Sequence, residues 1–336
     1  MSNIGKITCL CLVMFLLAAG QVFSLTTLDD LNEAVSGFSS QMAKAAQFNS
    51  AIGLNWSDAY IGQFLGIPPK FGVGLAFGFT NLSIGPINDL VKMMSDAPLP
   101  FDAGLPLPGY TLEGRIGGFV LPFDIGFKIG TLPESIPILE AITGAKLSYL
   151  LVGGDFRYAL VDSKLLKFSI GLGFNHLNGG VSLPIGSSFG PLTTPGDYTL
   201  KMDKPEIGLL WNTNCLEFKL QASIPTAVFT PYAGLGLNYS WTRAGYAINA
   251  KPIMTDPDGN TVDSRQFLQE LKEYDIKGVE IKDNSIESVL SDEAFNIRVY
   301  GGISLNMTVI RLDLTGMYDL FNSNWGMTVG IRFQTF

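Results

Sequence analysis

The sequence predicts an all-β protein: a transmembrane antiparallel up-and-down β-barrel of about 12 strands, within a range of about 10 to 14. Three observations predict it. Apolar residues recur at every second position in many segments, as they do when side chains alternate between the two faces of a strand. Only 15% of the 336 residues are charged, and the mean hydropathy is +0.27. After residue 24, however, no uncharged apolar stretch reaches the length of a membrane-spanning helix.

The first 24 residues have the order of a secretory signal peptide. Lys6 precedes an uncharged apolar run at residues 7–19, and small residues follow that run. Cleavage after Gly20 or after Ser24 fits this pattern equally well. The predicted organisation is therefore a signal peptide at 1–24, a helical segment at 25–49 and a barrel at 50–336.

The pattern of residues 26–48 predicts a helix that precedes the first strand of the barrel. Thr27 and Asp30 form a candidate capping box at its start. The apolar stripe consists of Leu28, Leu31, Val35, Phe38 and Met42. An amphipathic helix needs a surface to cover, so this one is expected either to plug the periplasmic mouth of the barrel or to pack on its rim. Short helices are also expected within the inserts between strands.

Twelve segments show the alternation of strands, two of them weakly. The weak candidates are residues 51–56 and 198–211. The others are residues 71–80, 110–120, 123–129, 146–158, 166–174, 216–223, 229–241, 295–306, 310–320 and 325–333. The last three are joined by short connections, which predicts an antiparallel meander.

The same alternation would suit a secreted β-sandwich or adhesin, since a sandwich also has one apolar and one polar face. Three features favour the membrane barrel. Many segments are longer than the soluble average of about 5 to 6 residues and long enough to cross a bilayer at a tilt. Their second face is rich in Gly and carries both signs of charge. Aromatic residues near the ends of apolar faces are candidates for a membrane-interface girdle: Tyr110, Trp211, Tyr239, Trp241, Tyr318 and Trp325.

The predicted signal, the alternating strands and the final residue Phe336 together resemble a Gram-negative outer-membrane β-barrel. The segment 330–336 is similar to the C-terminal insertion signal of that class, with Phe333 and Phe336 as its aromatic residues. It departs from the pattern because Val329, Ile331 and Phe333 fall on the face opposite Phe336. Residues 231–239 resemble porin-like and long-chain fatty-acid-transporter-like barrels, including spirochaete ones. The resemblance implies an outer-membrane location, with the lipid bilayer and the barrel-assembly machinery as partners.

The longest insert, residues 243–293, is acidic: ten acids and five bases lie between Lys251 and Asp292. It contains a candidate helix at 264–274 and is expected to be extracellular, where long loops occur. By the same strand count, the apolar inserts 81–109, 131–145 and 178–197 would be periplasmic, where turns should be short. Either the count is off by one strand upstream, or one or more of these inserts fold into the lumen and narrow it.

The charged residues on the second face of the strands are the candidate lumen lining. They are Glu113, Arg115, Asp124, Lys128, Asp155, Arg157, Lys167, Glu217, Lys219, Arg298, Arg311, Asp313, Asp319 and Arg332. Eight bases against six acids are nearly balanced, so no ring of a single sign predicts strong ion selectivity. Cross-strand pairing that makes the interior polar is the simpler interpretation.

No cofactor, metal site or catalytic residue is predicted. His176, the only histidine, has Asn178 where an outer-membrane phospholipase has its serine nucleophile. Residues 256–263 have oxygen ligands at calcium-loop spacing, but Phe267 stands where the loop needs its final Glu, which favours a tight turn. A formal net charge of −8 argues against nucleic-acid binding.

Two functions fit the predicted barrel. The first is a pore or passive transporter for small or hydrophobic solutes. The alternative is a structural or adhesin-like barrel whose acidic extracellular insert binds partners. The sequence identifies neither the solute nor the oligomeric state, and no enzymatic activity is expected.

Overall fold

The computed structural model describes residues 40–82, 105–132, 146–184, 189–193, 199–202, 206–249, 252–256, 258–262, 279–282 and 285–335. The predicted signal peptide, the first part of the predicted helix at 26–39, the insert helix at 264–274 and Phe336 lie outside these ranges. In the described residues, positions 40–50 form a helix, α1. No helix in this part of the chain is long and apolar enough to cross a membrane.

Ten long antiparallel strands form a closed barrel. They are β1 (Phe71–Leu82), β2 (Leu105–Gly117), β3 (Phe123–Leu132), β4 (Lys146–Asp162), β5 (Lys167–Pro184), β8 (Glu206–Ser223), β9 (Phe229–Asn249), β13 (Ser285–Met307), β14 (Ile310–Asp319) and β15 (Trp325–Gln334). Each pairs with its neighbours in chain order, and β15 pairs with β1 to close the wall. Because the wall closes on itself, none of the ten is an edge strand of an open sheet.

Five short strands belong to the connections. They are β6 (Phe189–Thr193), β7 (Thr199–Met202), β10 (Pro252–Thr255), β11 (Thr261–Val262) and β12 (Val279–Lys282). The first four form a separate sheet in the order β11-β10-β7-β6, and β12 pairs with the start of β13. The insert after β5 thus pairs with the insert after β9.

The barrel has ten strands, and the expected number of about 12 was too high. Both weak candidates account for the difference. Residues 51–56 belong to no strand, because they lie inside the barrel. Residues 198–211 were counted as a separate strand, but 206–211 begin β8, which runs unbroken to Ser223.

This correction also resolves the placement of the inserts. Residues 198–223 contribute one barrel strand where two were counted. Each strand crosses the membrane once, so one strand fewer moves every insert upstream of it to the opposite side of the membrane. The short turns at residues 118–122, 163–166, 224–228 and 308–309 all lie at one end of the barrel, here called the short-turn end. The connections after β1, β3, β5 and β9 lie at the other, the long-loop end.

The boundaries of the inserts are also narrower than expected. The acidic insert was placed at 243–293, but β9 and β13 pair from Phe229 and Leu305 out to Asn249 and Ser285. Likewise β5 continues to Pro184, and β2 begins at Leu105. Sequence alternation weakens at these positions because both sides of a strand that projects past the bilayer meet polar surroundings.

Inside and outside are inverted relative to a soluble protein. Along β14 the exposed and buried residues alternate throughout, with Leu312 and Leu314 outside and Arg311 and Asp313 inside. Large apolar side chains are exposed around the wall, whereas Arg157 and Arg298 are only 1% and 0% exposed. Hydrocarbon solvates such an outer face, and water does not.

Candidate functional site: the occupied lumen

The lumen is filled by the chain segment that precedes β1. Residues 40–61, here called the plug, consist of α1 followed by an irregular stretch, and every residue from 42 to 61 except Lys44 is buried. Phe64 donates its N–H to Gly118 O at the short-turn end, after which the chain enters β1. The plug therefore runs down the barrel from the long-loop end to the short-turn end.

The upper part of the plug packs against apolar side chains. Met42, Ala45 and Ala46 of α1 contact a buried cluster that the wall supplies near the long-loop end, here called the apolar half. The wall residues of the apolar half are Tyr149, Leu151, Leu177, Trp211 and Ala244. Phe48 and Ile52 continue this packing toward the middle of the barrel, where they meet Tyr232, Tyr300 and Met317.

The lower part of the lumen, here called the charged half, is a network of buried ion pairs on the wall. Asp124 lies between Arg115 and Arg157, at 2.5 and 2.8 Å. Asp155 pairs with Arg115 at 2.7 Å and with Lys219 at 3.0 Å. Glu217 extends the network by pairing with Arg298 and Lys219.

Asp58 of the plug enters this network as an additional acid. Its Oδ2 accepts hydrogen bonds from Arg311 Nη1 at 2.6 Å, from Arg332 Nη2 at 3.1 Å and from Gln334 Nε2 at 3.1 Å. Arg332 also donates to Ser57 Oγ at 2.7 Å. The carboxylate is only 4% exposed, so it is compensated almost entirely by these wall donors.

Wall side chains also satisfy the backbone carbonyls of the irregular stretch. Lys128 Nζ donates to Ser50 O and Ile52 O, at 2.8 and 2.6 Å. Arg157 Nη1 donates to Asp58 O at 2.8 Å, and Gln221 Nε2 to Trp56 O at 2.6 Å. Side chains of the wall thus replace the backbone partners that a helix or sheet would supply.

Trp56 and Gly53 of the plug both contact the wall at Thr111 and Glu113 of β2. The indole Nε1 donates to Glu113 Oε2 at 2.5 Å, and the Arg332 guanidinium lies 4.7 Å from the centre of the Trp56 ring. Gly53 has a φ of +86°, and a Cβ there would lie 2.6 Å from Thr111 Oγ1. A side chain at position 53 would therefore strain both the backbone and the packing.

The fourteen candidate lumen residues lie together on the inner side of the wall. All except Lys167 are buried, and Lys167, near the short-turn end, donates to Tyr60 O at 2.9 Å. Nearby Lys70 lies between the plug and β1. Burial lowers the pKa of its side chain, and the positive charges of Lys167 and Arg311 lower it further. The lumen lining and the plug form one connected polar interior.

Among the aromatic candidates for the membrane interface, the prediction for Trp211 is wrong. This residue is 5% exposed and packs inside the barrel against α1. Because 206–223 is one strand, Trp211 shares a face with Glu217, which points inward. Tyr239, Trp241, Tyr318 and Trp325 are exposed on the outer wall, Tyr110 is half-buried beside Phe77, and Phe333 is exposed near the C-terminus.

Sequence patterns did not identify Asp58, Trp56 or Asn49 as residues of the site. One signal could have revealed the first: Asp58 is the only charged residue between Lys44 and Lys70. A single acid in such an apolar stretch, beside a wall with more bases than acids, indicates a buried partner. Asn49 donates to Thr80 Oγ1 and Leu107 O. These partners are far from it in sequence, and no local pattern predicts such contacts.

Candidates outside the lumen form no second site in the described residues. His176 lies on β5, with its Nδ1 2.8 Å from Asn214 Oδ1. Asp256 accepts hydrogen bonds from the backbone N–H and side chain of Asn260 in an exposed turn, and these bonds lower its pKa. No group of metal-ligating side chains occurs in the part of the chain that was described.

A closed wall with an apolar exterior and a charged interior defines a transmembrane β-barrel of the outer-membrane type. This confirms the predicted closed antiparallel β-barrel, and its apolar outer face agrees with the outer-membrane location that the resemblance implies. The barrel's polar lumen, closed by the plug, is its candidate functional site.

No protein-family model and no curated protein sequence matches the chain. Solved structures similar to it include the outer membrane protease OmpT from Escherichia coli, at 10% identity over 82% of this chain and 100% of that one, with a TM-score of 0.38. The translocator domain of the autotransporter NalP from Neisseria meningitidis matches at 8% identity over 89% and 96%, with a TM-score of 0.36. The toluene transporter TodX from Pseudomonas putida matches at 11% identity over 94% and 99%, with a TM-score of 0.26.

Proposed function

We propose that this protein is a gated pore or passive transporter for small solutes, closed by its own plug. One observation carries the proposal: the plug fills the lumen without taking part in the wall. In the described part of the chain, the barrel strands pair with one another and with β12 and not with the plug, so the plug can leave without breaking a backbone hydrogen bond between wall strands. Its departure would uncover a lumen lined by charged side chains, which favours small polar solutes over hydrophobic ones.

Conductance in planar bilayers tests this proposal. The full chain is expected to give rare openings, and a chain lacking residues 40–61 is expected to give sustained currents. A reversible lock provides a control that keeps the plug. Asn49→Cys with Thr80→Cys, bridged by a short bis(methanethiosulfonate) cross-linker that forms a disulfide with each thiol and releases sulfinate, should abolish openings until a reductant cleaves the bridge. If deletion and unlocking both leave the bilayer silent, the pore function is wrong.

One observation favours the adhesin-like alternative. Strands β9 and β13 remain paired for eight residues beyond Trp241, to Asn249. At about 3.3 Å per residue and a tilt near 45°, the wall projects roughly 20 Å past that aromatic residue. This projection carries the acidic insert. If it is the functional part, replacing 252–282 with a short turn should abolish surface binding by intact cells and leave conductance unchanged.

The proposal includes no enzymatic activity. It is supported by the composition of the lumen, whose buried acids and bases in the charged half are paired with one another rather than beside a nucleophile. A hydrolase assay on lipid and peptide substrates tests this part.

A further inference from the structure

We propose that Arg311, Arg332 and Gln334 form a carboxylate-binding site that the plug occupies with Asp58, and that small carboxylate solutes compete with Asp58 for it. The inference deepens the proposed pore function and rests on it, because competition at this site would link the solute to plug release.

Two like charges face each other in the wall at this point. Arg311 on β14 and Arg332 on β15 are directly opposite each other in the strand register, and both point into the lumen. Two like charges directly across a strand pair repel each other and destabilise the sheet. Asp313 pairs with one of them, with its Oδ2 3.1 Å from Arg332 Nε. The plug supplies the second acid, whose Oδ2 accepts from both arginines.

The donors at this site match a carboxylate. A guanidinium presents planar N–H groups that fit the two oxygens of a carboxylate, and Gln334 adds a neutral donor. Buried Arg332 Nη1 has no hydrogen-bond partner in the described residues, so the site has donor capacity that Asp58 leaves unused.

The structure also provides space next to the site. A small cavity beside Arg332 is lined on the wall by the small residues Gly74, Ala76 and Gly330 and by the acids Glu113 and Asp313, and on the plug by Trp56. The site lies near the short-turn end, below the apolar half, so α1 does not separate it from that end.

Chemical rescue of Asp58→Ala tests the site without requiring transport. The variant should have a lower midpoint of thermal unfolding than the wild type in detergent micelles. Acetate should raise that midpoint by a few degrees in a saturable manner, because it restores the missing anion. Sodium chloride at equal ionic strength should have a much smaller effect. Asp256→Ala removes an exposed acid outside the lumen and should show no rescue. No rescue, or equal rescue by chloride, would overturn the proposal.

A wild-type measurement covers the case in which Asp58→Ala does not fold. Acetate and succinate should accelerate hydrogen exchange at the Ala59 amide, since competition at the site releases the plug, whereas chloride should not. Unchanged exchange at saturating carboxylate would contradict the proposal.

Conductance separates this inference from the pore function. Currents that are anion-selective and increased by succinate support both. If acetate rescues Asp58→Ala but the protein never conducts, the carboxylate site is supported and the pore function is wrong. If the currents are cation-selective and carboxylates do not change them, the pore function is supported and the carboxylate site is wrong.

Discussion

The two halves of the lumen hold the plug by different forces. In the apolar half, Met42, Ala45 and Ala46 pack against aromatic and aliphatic wall residues, a contact without directional requirements. In the charged half, Asp58 and the carbonyls of the irregular stretch accept specific hydrogen bonds from arginine, lysine and glutamine. Apolar packing alone does not fix the register of the plug. In α1 that register depends on a few hydrogen bonds of Gln47 and Asn49, whereas many more hydrogen bonds fix it in the charged half.

This difference indicates where release begins. Side chains in the charged half have alternative partners in water and ions, since hydration replaces a lost hydrogen bond once the lumen opens. Apolar contacts have no such replacement and resist release in any aqueous solution. An anion or another change of charge is thus expected to act on the lower half, after which the upper half determines how far the plug moves.

The largest effect is expected from Asp58→Ala. Removing one partner of a buried ion pair costs about 3–5 kcal/mol because the remaining charge stays uncompensated. Here two opposed arginines lose their shared acid. Hydrogen exchange at residues 52–61 should report this loss as a lower free energy of local opening. Asp256→Ala, the matched control, should leave these amides unchanged; an equal effect of both would show that Asp58 has no special role.

Met42→Ala should have a similar or somewhat smaller effect, confined to the other half. Truncating a buried Met costs about 2–5 kcal/mol through lost transfer energy and the remaining cavity. Protection from exchange should fall at α1 before it falls at residues 52–61. Met327→Ala shortens an exposed methionine on the outer wall and provides the control. Loss of protection in both halves at once would mean that the plug opens as a single unit.

Lys128→Met tests the boundary between the halves. It leaves Ser50 O and Ile52 O without their donor, and an unsatisfied buried acceptor costs about 1–3 kcal/mol. Opening of the irregular stretch should become easier, which a higher open probability in planar bilayers would report. Lys164→Met changes an exposed lysine in a short turn and should not alter gating.

Asn49→Ala should be weaker still. Its amide donates to Thr80 Oγ1 and Leu107 O, neutral contacts worth about 0.5–1.5 kcal/mol each. The exchange rate at the end of α1 should rise modestly. A change as large as that of Asp58→Ala would contradict the division into two halves.

The smallest effect concerns a charge outside the lumen. Hydrogen bonds from Asn260 hold the pKa of Asp256 below its ordinary value of 3.8. The bonded carboxylate therefore supports its turn above that pH, and the support is lost as the pH falls through the lowered pKa. An NMR titration of the Asn260 amide should show this transition below pH 3.8, with the plug amides unaffected until lower pH or global unfolding.

Much of the wall could be predicted because its signal is local. A residue's parity within a strand determines whether it faces lipid or lumen, and Glu113, Lys128 and Arg298 could be placed on the inner face from alternation alone. The same rule would have placed Trp211 inside, but it requires knowing that 206–223 is one strand. Strand continuity depends on pairing partners that the segment itself does not reveal.

Of the candidate site, only the wall residues that line the lumen could be predicted from the sequence. Alternation identifies the arginines at 311 and 332, but their direct opposition follows from the register of β14 against β15. Asp58 is more than 250 residues away from both in sequence, so no periodicity connects it to them.

By itself, the sequence determined that this chain forms long strands with one face for hydrocarbon and the other for polar groups, because that property repeats every two residues. The tertiary structure decided the number of strands, the common end of the long loops and the occupant of the lumen. These depend on closure of the wall and on contacts between distant segments, where many arrangements share the same local pattern and only their mutual packing distinguishes them.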